Sequence, residues 1–318
     1  MQPEITIIIP VYNSAEYIVP CLESLSQQSF TNFEAFIIND NSTDDSDCII
    51  QNFLSATPGF SYEYSTNQEN KGWCLIRNEG ISRARGKYIC FLDSDDTYHR
   101  DYLKMLYEKI TLTNSDFVFC GYDRVFANTN KKKPYTDSWK YPNADNITRL
   151  KYDYMLGKTH ICHCAAIYNK LFLMQNNLFY NPDCRRSGDT EFIIRILFCC
   201  KKFSVVQKSL YNYTIRPNSI STQYPTVKSF ESYYAYERIK KDIHNPFWRI
   251  LFTITKEARR ICSLLNEFIS HNEPLPYLFC PKYKLLGYLF INLLIKRNAL
   301  AYQTLKDFWK QYIKSKIK

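Results

Sequence analysis

Three carboxylates lie within four residues at positions 93–96, where the sequence reads Asp-Ser-Asp-Asp. The apolar run at residues 88–92 is typical of a buried strand, so this acidic cluster follows a strand end. Three like charges so close together repel one another. A divalent cation such as Mg²⁺ or Mn²⁺ would relieve that repulsion, because hard ions prefer carboxylate oxygens. The alternative interpretation is an acidic turn that caps the following segment.

Two other apolar runs also end in polar residues. Residues 5–9 are followed by Pro10, Val11, Tyr12 and Asn13, and residues 36–38 are followed by Asn39, Asp40, Asn41, Ser42 and Thr43. Together with Arg77, these side chains suit a nucleotide diphosphate. An aromatic ring can stack on the base, a carboxylate can accept its N–H, and an arginine and a metal ion can bind the pyrophosphate. A glycine-rich phosphate loop is lacking, which disfavours P-loop kinases and dinucleotide dehydrogenases.

The spacing of apolar residues predicts the elements that position these groups. Strands are predicted at residues 5–9, 36–38, 62–64 and 88–92, and helices at 15–28, from Asp44 onward, at 75–85 and at 190–200. Alternating strands and helices indicate a parallel sheet covered by helices, in which ligands gather at the carboxyl ends of the strands. The lysine-rich stretch 127–146 is interpreted as a solvated loop, and the chain from about residue 228 as mainly helical.

Composition indicates one large domain with an appendage, because the chain has 318 residues and is 45% hydrophobic. The 12 cysteines are scattered and no leader segment is apparent, so we expect a reducing cytosol and no disulfide framework. The group His160, Cys162, His163 and Cys164 could bind zinc. It lacks a second ligand pair at finger-like spacing, and core and loop residues are the alternative.

The basic charge is concentrated at the C-terminus. Residues 282–318 contain nine Lys or Arg and one acid, Asp307, which gives +8 of the total of +10. Such a patch suits nucleic acid or anionic lipid. Residues 301–312 place aromatic and lysine side chains on opposite helical faces, as in a helix lying in a membrane interface or docked on its own domain. The sequence contains no apolar run of the roughly 18–20 residues that span a bilayer.

In order and spacing, four segments within the first 110 residues resemble the inverting glycosyltransferase family 2, which has the GT-A fold and uses nucleotide-sugar donors. They are residues 10–13, residues 39–44 (Asn-Asp-Asn-Ser-Thr-Asp, similar to the family's Asp-Asp-Gly-Ser-Thr-Asp), residues 70–80, and residues 86–96, which include the acidic cluster. The resemblance implies an α/β GT-A fold with a mostly parallel central sheet. It also implies that the cofactor is Mn²⁺ or Mg²⁺.

The same resemblance implies roles for individual residues. Asp40 would accept a hydrogen bond from uracil, with Pro10, Val11, Tyr12 and Asn13 around the base. Arg77 would lie near the diphosphate. Asp93 and Ser94 would contact the nucleotide-sugar, and Asp95, together with Asp93, would hold the metal.

A later segment, Ser187 to Phe192, resembles the family's Glu-Asp pair at a helix start. Asp189 matches the family's catalytic base, and Gly188 stands where Glu is common. An inverting displacement needs one base and no covalent intermediate, which agrees with a single carboxylate. Glu191 is the competing base if the register differs by two residues, and helix capping is the non-catalytic alternative for Asp189. Tyr213 to Ser221, which includes Arg216, resembles the family's Arg-x-x-Ser-Ile-Ser stretch and implies a loop that closes over the diphosphate.

These expectations combine into a glycosyltransferase domain at residues 1–225 and a helical, basic region at 226–318. The predicted protein is cytoplasmic and peripheral at the inner face of the membrane. It would transfer a sugar from a UDP-sugar to a glycan or lipid-linked acceptor in the assembly of bacterial surface polysaccharide or glycolipid. Nucleic acid is not an expected partner. The alternatives are a nucleotidyltransferase and a non-catalytic nucleotide-sugar or glycan-binding protein on the same fold.

Overall fold

The computed structural model describes residues 2–57, 59, 61–127, 129, 131–141, 146–183, 187–216 and 231–257. Within these residues the chain forms one sheet of nine strands. The strands are β1 Ile5–Val11, β2 Phe33–Asn39, β3 Ser61–Thr66, β4 Tyr88–Phe91, β5 Thr97–Tyr98, β6 Phe117–Phe126, β7 Lys131–Tyr135, β8 Ala166–Asn169 and β9 Phe203–Ile215.

Nine α-helices connect or follow these strands in the described part of the chain. They are α1 Ile18–Ser26, α2 Ser46–Ala56, α3 Trp73–Arg83, α4 Tyr102–Thr113, α5 Ile147–Met155, α6 Lys170–Gln175, α7 Gly188–Cys199, α8 Glu231–Asp242 and α9 Pro246–Phe252. A short 3-10 helix covers Asp137–Lys140, and a π-helical turn covers Thr253–Glu257.

The strand order in the sheet is β3-β2-β1-β4-β8-β6-β9-β5, and β7 pairs with β6 beside this path. Strands β1, β2, β3, β4, β6 and β9 run in one direction, whereas β5, β7 and β8 run against them. The predicted mostly parallel sheet flanked by helices is therefore confirmed. The carboxyl ends of β1, β2 and β4 lie side by side, which brings together the three polar segments found in the sequence.

Burial explains why the first strands lie at the centre of the sheet. Every residue of β1 and β2 is buried, as expected for a strand covered by helices on both faces. Helix α3 packs closely on β1 because Gly80 has no side chain: a Cβ there would lie 2.6 Å from Cγ2 of Ile8. The first two turns of α3, which carry Trp73 and Arg77, lie near the carboxyl ends of the strands, where Arg77 pairs with Asp93.

One predicted loop is wrong. The stretch 127–146 contains strand β7 and the 3-10 helix, because Lys131–Tyr135 pairs antiparallel with β6. Its lysines are exposed, which is typical of a strand at a sheet edge and explains why the segment has the composition of a loop. The other predicted elements are present, with ends shifted by a few residues.

The C-terminal predictions are tested only in part. The described residues after 228 form α8, α9 and the π-helical turn, which agrees with a helical region. The amphipathic segment 301–312 lies outside the described residues, and the boundary between residues 225 and 226 stays a prediction. No helix within the described residues is long and apolar enough to cross a membrane.

Candidate active site

The three carboxylates of the acidic cluster, residues 93–96, each have their own partner. Asp93 forms an ion pair with Arg77, and Oδ2 of Asp95 lies 2.6 Å from Nε of Arg216. Asp96 points the other way, toward β9, where it accepts hydrogen bonds from the hydroxyl of Tyr211 and from the backbone N–H of Thr214. Asp93 and Asp95 therefore face the candidate site, while Asp96 attaches the cluster to the sheet.

The pKa values of the cluster show where negative charge is poorly compensated. Burial, the larger effect, and the neighbouring Asp93 raise the pKa of Asp95 above its ordinary value, although Arg216 opposes them. Burial and the other two carboxylates raise the pKa of Asp96 well above its usual range. Burial also acts to raise the pKa of Asp93, but the Arg77 guanidinium lowers it below the ordinary value. The site thus holds more negative charge than its two arginines neutralise.

Asp93 and Asp95 fit a divalent cation of the Mg²⁺ or Mn²⁺ type. Both present carboxylate oxygens just after β4, both are only partly buried, and after burial the charge of Asp93 is the main cause that raises the pKa of Asp95. The guanidinium of Arg216 opposes that repulsion in the described arrangement. The predicted ligand pair is thus chemically suited to the metal.

The zinc alternative receives less support. Of the four cysteine and histidine residues around position 162, the structure brings His163 and Cys164 together with Asp93, so that one ligand atom of each lies within 4.8 Å of the others. The sulfur of Cys164 also lies 3.8 Å from the Arg77 guanidinium. Burial raises the pKa of the Cys164 thiol well above its ordinary value, so it stays protonated and is a poor zinc ligand.

The four predicted site residues at the end of β1 and just after it differ in exposure and in role. Tyr12 is 47% exposed, so its ring is available for stacking on a base. Pro10 and Val11 are buried in β1 and paired with β2. Asn13 adopts a left-handed conformation (φ 48°), and its side-chain oxygen accepts from the backbone N–H of Thr43 at 2.8 Å, so it joins the two polar loops.

Ser94, predicted to contact the nucleotide-sugar, is buried. Its hydroxyl lies 2.6 Å from the hydroxyl of Ser14. Ser14 was not among the predicted site residues. Its backbone N–H donates a hydrogen bond to the hydroxyl of Ser46 at the start of α2. Ser94 therefore connects the acidic cluster to the turn after β1, behind the residues that face the candidate site.

Asp40, the predicted reader of the base, also organises the next loop. Its carboxylate accepts from the backbone N–H groups of Lys71 and Gly72 at 2.9 and 2.7 Å and from the side chain of Asn67 at 2.8 Å. A carboxylate has about four acceptor positions, of which these contacts use three, and Asp40 is 2% exposed. Asp40 thereby fixes the start of α3, since Gly72 is the residue immediately before that helix.

Arg77, expected near the diphosphate, is 2% exposed and lies beneath Asp93. Its guanidinium carbon lies 4.5 Å from the ring centre of Trp73, 5.2 Å from that of Tyr180 and 5.8 Å from that of Phe91. Burial acts to lower the pKa of Arg77, but Asp93 raises it above its ordinary value, so the guanidinium stays charged. The structure thus places Arg77 where it orients Asp93.

Helix α7 carries both candidate bases, Asp189 and Glu191, near its N-terminus. Asp189 is half-buried in its first turn, and its charge is among those that act to raise the pKa of His163, which neighbours Asp93 and Cys164. Glu191 is 4% exposed, and its two carboxylate oxygens accept from Arg238 of α8 at 2.9 and 3.2 Å. Glu191 therefore fastens α7 to α8, whereas Asp189 is half-buried in the first turn of α7.

Several functional contacts were absent from the sequence-based prediction. The pairing of Asp95 with Arg216 joins residues 121 positions apart and has no local sequence signature, and the ring of Trp73 lies over Arg77. A helical phase count could have found the second contact, because residues four apart lie on the same face of α3.

Comparisons with known proteins agree with this arrangement. The sequence model of glycosyl transferase family 2 matches residues 6–175, more than half of the chain. The putative glycosyltransferase EpsH of Bacillus subtilis is 31% identical over 72% of this chain, and the glycosyltransferase GlyA of Streptococcus pneumoniae is 30% identical over 70%. The chain covers 66% and 32% of these two relatives, less than two thirds of their own lengths.

Solved structures share the fold at lower sequence identity. TarS from S. aureus, solved in complex with UDP-GlcNAc, superposes with a TM-score of 0.63 at 22% identity over 92% of this chain and 79% of that one. The mannosyltransferase PcManGT from Pyrobaculum calidifontis, solved with GDP-Man and Mn²⁺, gives 0.60 at 13% identity over 98% and 88%. The GT-A fold is thereby confirmed. The chain belongs to glycosyl transferase family 2.

Proposed function

We propose that the protein transfers a hexose-type sugar from a UDP-sugar to an acceptor hydroxyl with inversion at the anomeric carbon, in a reaction that depends on Mn²⁺ or Mg²⁺. Asp189 acts as the base, Asp93 and Asp95 hold the metal, and Tyr12 and Asp40 bind the uracil. Family membership favours this reaction over nucleotidyl transfer.

One relationship carries the proposal: the charge of the candidate base acts on His163, and His163 is connected through Cys164 to the candidate metal ligand Asp93. Asp189 acts on the pKa of His163, whose Nε2 lies 3.0 Å from the sulfur of Cys164, and that sulfur lies 3.7 Å from Oδ2 of Asp93. A base on one side and metal-type carboxylates on the other suit attack on the sugar from the face opposite the leaving diphosphate.

Each of these residues has a separate role in the proposed reaction. The Asp189 carboxylate takes the proton of the acceptor hydroxyl as that oxygen attacks. Arg77 holds Asp93 in place from below, and Asp40 fixes the loop that begins α3. A divalent cation bound at Asp93 and Asp95 supplies positive charge that offsets the charge developing on the leaving diphosphate.

Uridine is the proposed base of the donor. Tyr12 offers an exposed ring, and the described contacts of Asp40 use three of its about four acceptor positions. The TarS structures that share the fold hold UDP or UDP-GlcNAc. These observations support a UDP-sugar without selecting the sugar.

The acceptor is proposed to be a glycan or a lipid-linked sugar at the cytoplasmic face of the membrane, in surface polysaccharide or glycolipid assembly. The support is the +8 charge of residues 282–318, which attracts anionic lipid. Full-length protein is expected to float with vesicles that contain anionic lipid at low salt and to stay in solution with neutral vesicles. Equal recovery with both kinds of vesicle contradicts membrane association but leaves the transferase proposal intact.

The transferase proposal is tested by UDP release from a panel of UDP-sugars with Mn²⁺. Wild type is compared with Asp189→Asn and Asp95→Ala, and Glu108→Gln serves as a control because that carboxylate is exposed on α4. We expect slow release with one donor, loss of about 100-fold or more in both site variants, and wild-type release in the control.

The alternatives give different results. Mn²⁺-dependent UDP binding without release from any donor, even with added glycan acceptors, identifies a non-catalytic binding protein. If the protein neither releases UDP from any donor nor binds UDP, the nucleotide assignment is wrong. Retained release in Asp189→Asn overturns the assignment of the base.

A further inference from the structure

Trp73 of α3 and Gly188 of α7 are in close contact. Trp73 is the first residue of α3 and Gly188 is the first residue of α7. A Cβ built on Gly188 would lie 2.8 Å from Cη2 of Trp73 and 3.4 Å from the sulfur of Cys74. Real Cβ atoms do not come this close to a ring carbon, so the indole occupies its position only because residue 188 has no side chain.

The indole also covers the charged group that orients Asp93. Trp73 and Arg77 are four residues apart and share one face of α3, and the guanidinium carbon lies 4.5 Å from the indole centre. The buried Nε of Arg77 has no hydrogen-bond partner within the described part of the chain. The electron-rich ring therefore replaces a missing polar partner on this side of the guanidinium.

Other aromatic rings hold the indole itself. Trp73 meets Tyr180 edge-on, with ring centres 5.5 Å apart, and Tyr180 stacks on Phe192 of α7 at 4.1 Å. Asn78 of α3 exchanges two hydrogen bonds of 2.7 Å with the backbone of Tyr180. The packing thus continues from α3 to the helix that carries Asp189.

From these contacts we propose that Trp73 is a positioning residue for sugar transfer. Its indole, admitted by Gly188, fixes the Arg77–Asp93 pair and the start of α7 relative to each other, so that Asp189 faces the donor sugar at the right distance. The inference rests on the proposed function. Trp73 and Gly188 form a matched pair, in which a large ring stands opposite a residue without a side chain.

If the two residues form a matched pair, a larger side chain at position 188 should be tolerated when the side chain at position 73 is made smaller. Gly188→Glu alone should clash with Trp73. In the double variant Trp73→Ala, Gly188→Glu, a carboxylate enters the space vacated by the ring and can pair with the Arg77 guanidinium. We expect kcat to fall about 100-fold in Gly188→Glu, because a displacement of about 1 Å has that effect, and to recover at least tenfold in the double variant.

Two conservative variants distinguish positioning from packing. Trp73→Phe keeps an aromatic face over Arg77 and should retain kcat within about threefold, whereas Trp73→Leu keeps apolar bulk without the ring's charge distribution and should lose about tenfold. Both should leave the KM for the UDP-sugar selected by the donor panel, and the Kd for UDP, within about threefold of wild type, since uracil binds at Tyr12 and Asp40.

The proposal is overturned if the double variant is as slow as Gly188→Glu, or if Trp73→Leu keeps the wild-type kcat. Thermal unfolding of all variants tests the contact independently of activity: the midpoint should fall in Gly188→Glu and recover in the double variant. If the wild type neither binds UDP nor releases it, the proposed function fails. The thermal unfolding midpoints then still test the contact between residues 73 and 188. If the midpoint does not recover in the double variant, the matched pair is contradicted as well.

Discussion

Arg216 and Asp95 are held together by a 2.6 Å contact between a guanidinium nitrogen and a carboxylate oxygen, although 121 residues separate them in sequence. Both side chains are partly exposed, at 25% and 19%. The carboxylate of this pair is the proposed metal ligand. A bound cation and the Arg216 guanidinium therefore compete for the same oxygen.

Removal of Arg216 should strengthen the binding of metal alone. In Arg216→Gln, Mn²⁺ is expected to bind about 3–10-fold more tightly in the absence of nucleotide, because a partly exposed ion pair is worth about 0.5–1 kcal/mol or slightly more. Titration of protein-bound Mn²⁺ by electron paramagnetic resonance measures the change. Arg149→Gln, which removes an exposed arginine paired with Asp153 on α5, is the matched control. Weaker Mn²⁺ binding in Arg216→Gln contradicts the competition.

Tyr12 should contribute to nucleotide affinity through its ring and not through its hydroxyl. Base–aromatic stacking is worth about 1–3 kcal/mol, so Tyr12→Ala should raise the Kd for UDP about tenfold or more, and Tyr12→Phe should change it less than about twofold. Calorimetric titration with UDP and Mn²⁺ gives both values. Tyr152→Ala, at a similarly exposed tyrosine on α5, should have no effect. Equal affinities for wild type and Tyr12→Ala would remove Tyr12 from the base site.

His163 should make the stability of the protein depend on pH. Burial, followed by the Arg77 charge, lowers the pKa of His163 to about 4, against about 6.5 for an unfolded histidine. Between these values the unfolded chain binds the proton and the folded chain does not. Stability is therefore complete above pH ~6.5 and falls by up to about 3 kcal/mol as the pH drops toward 4.

Urea unfolding in EDTA at pH 7, 5.5 and 4.5 measures this effect. The difference between pH 7 and pH 4.5 should shrink in His163→Gln and persist in His244→Gln, whose histidine is exposed on the same chain. An identical pH dependence in wild type and His163→Gln would mean that other groups cause the acid sensitivity.

Glu191 and Asp189 should differ in the kind of damage that their substitution causes. Glu191→Gln weakens the buried contact with Arg238 and should lower the free energy of unfolding by about 1–3 kcal/mol, while kcat stays within about threefold of wild type. Asp189→Asn should do the reverse, with near-normal stability and a large loss of kcat. Paired measurements of urea unfolding and UDP release decide between them, and a larger loss of kcat in Glu191→Gln would reassign the base.

The sequence was sufficient for the parts of the site that lie at strand ends. Tyr12, Asp40 and Asp93 each follow an apolar run, and parallel strands bring their carboxyl ends to one edge of the sheet. The depth of each side chain was not predictable in this way. Ser94 follows the same strand as Asp93 but is buried against Ser14, because successive residues at a strand end point to opposite sides.

Contacts made by distant segments were also beyond sequence-based prediction. The ion pair of Arg77 with Asp93 joins α3 to the segment after β4, and its role near the diphosphate stays a prediction. Strand β7 was missed because exposed lysines on an edge strand resemble a loop. This error arises because the deciding neighbour, β6, is recognised only once the sheet is assembled.

The attachment of Asp96 to β9 bears on how the protein is made. Its partners Tyr211 and Thr214 leave the ribosome 115 and 118 residues later, so a nascent chain that ends before residue 203 carries the buried carboxylate without its partners. Synthesis at about 5–20 residues per second makes this interval last several seconds or more. The candidate site is thus completed late in translation, and truncated products that retain every N-terminal motif would still lack the partners of Asp96.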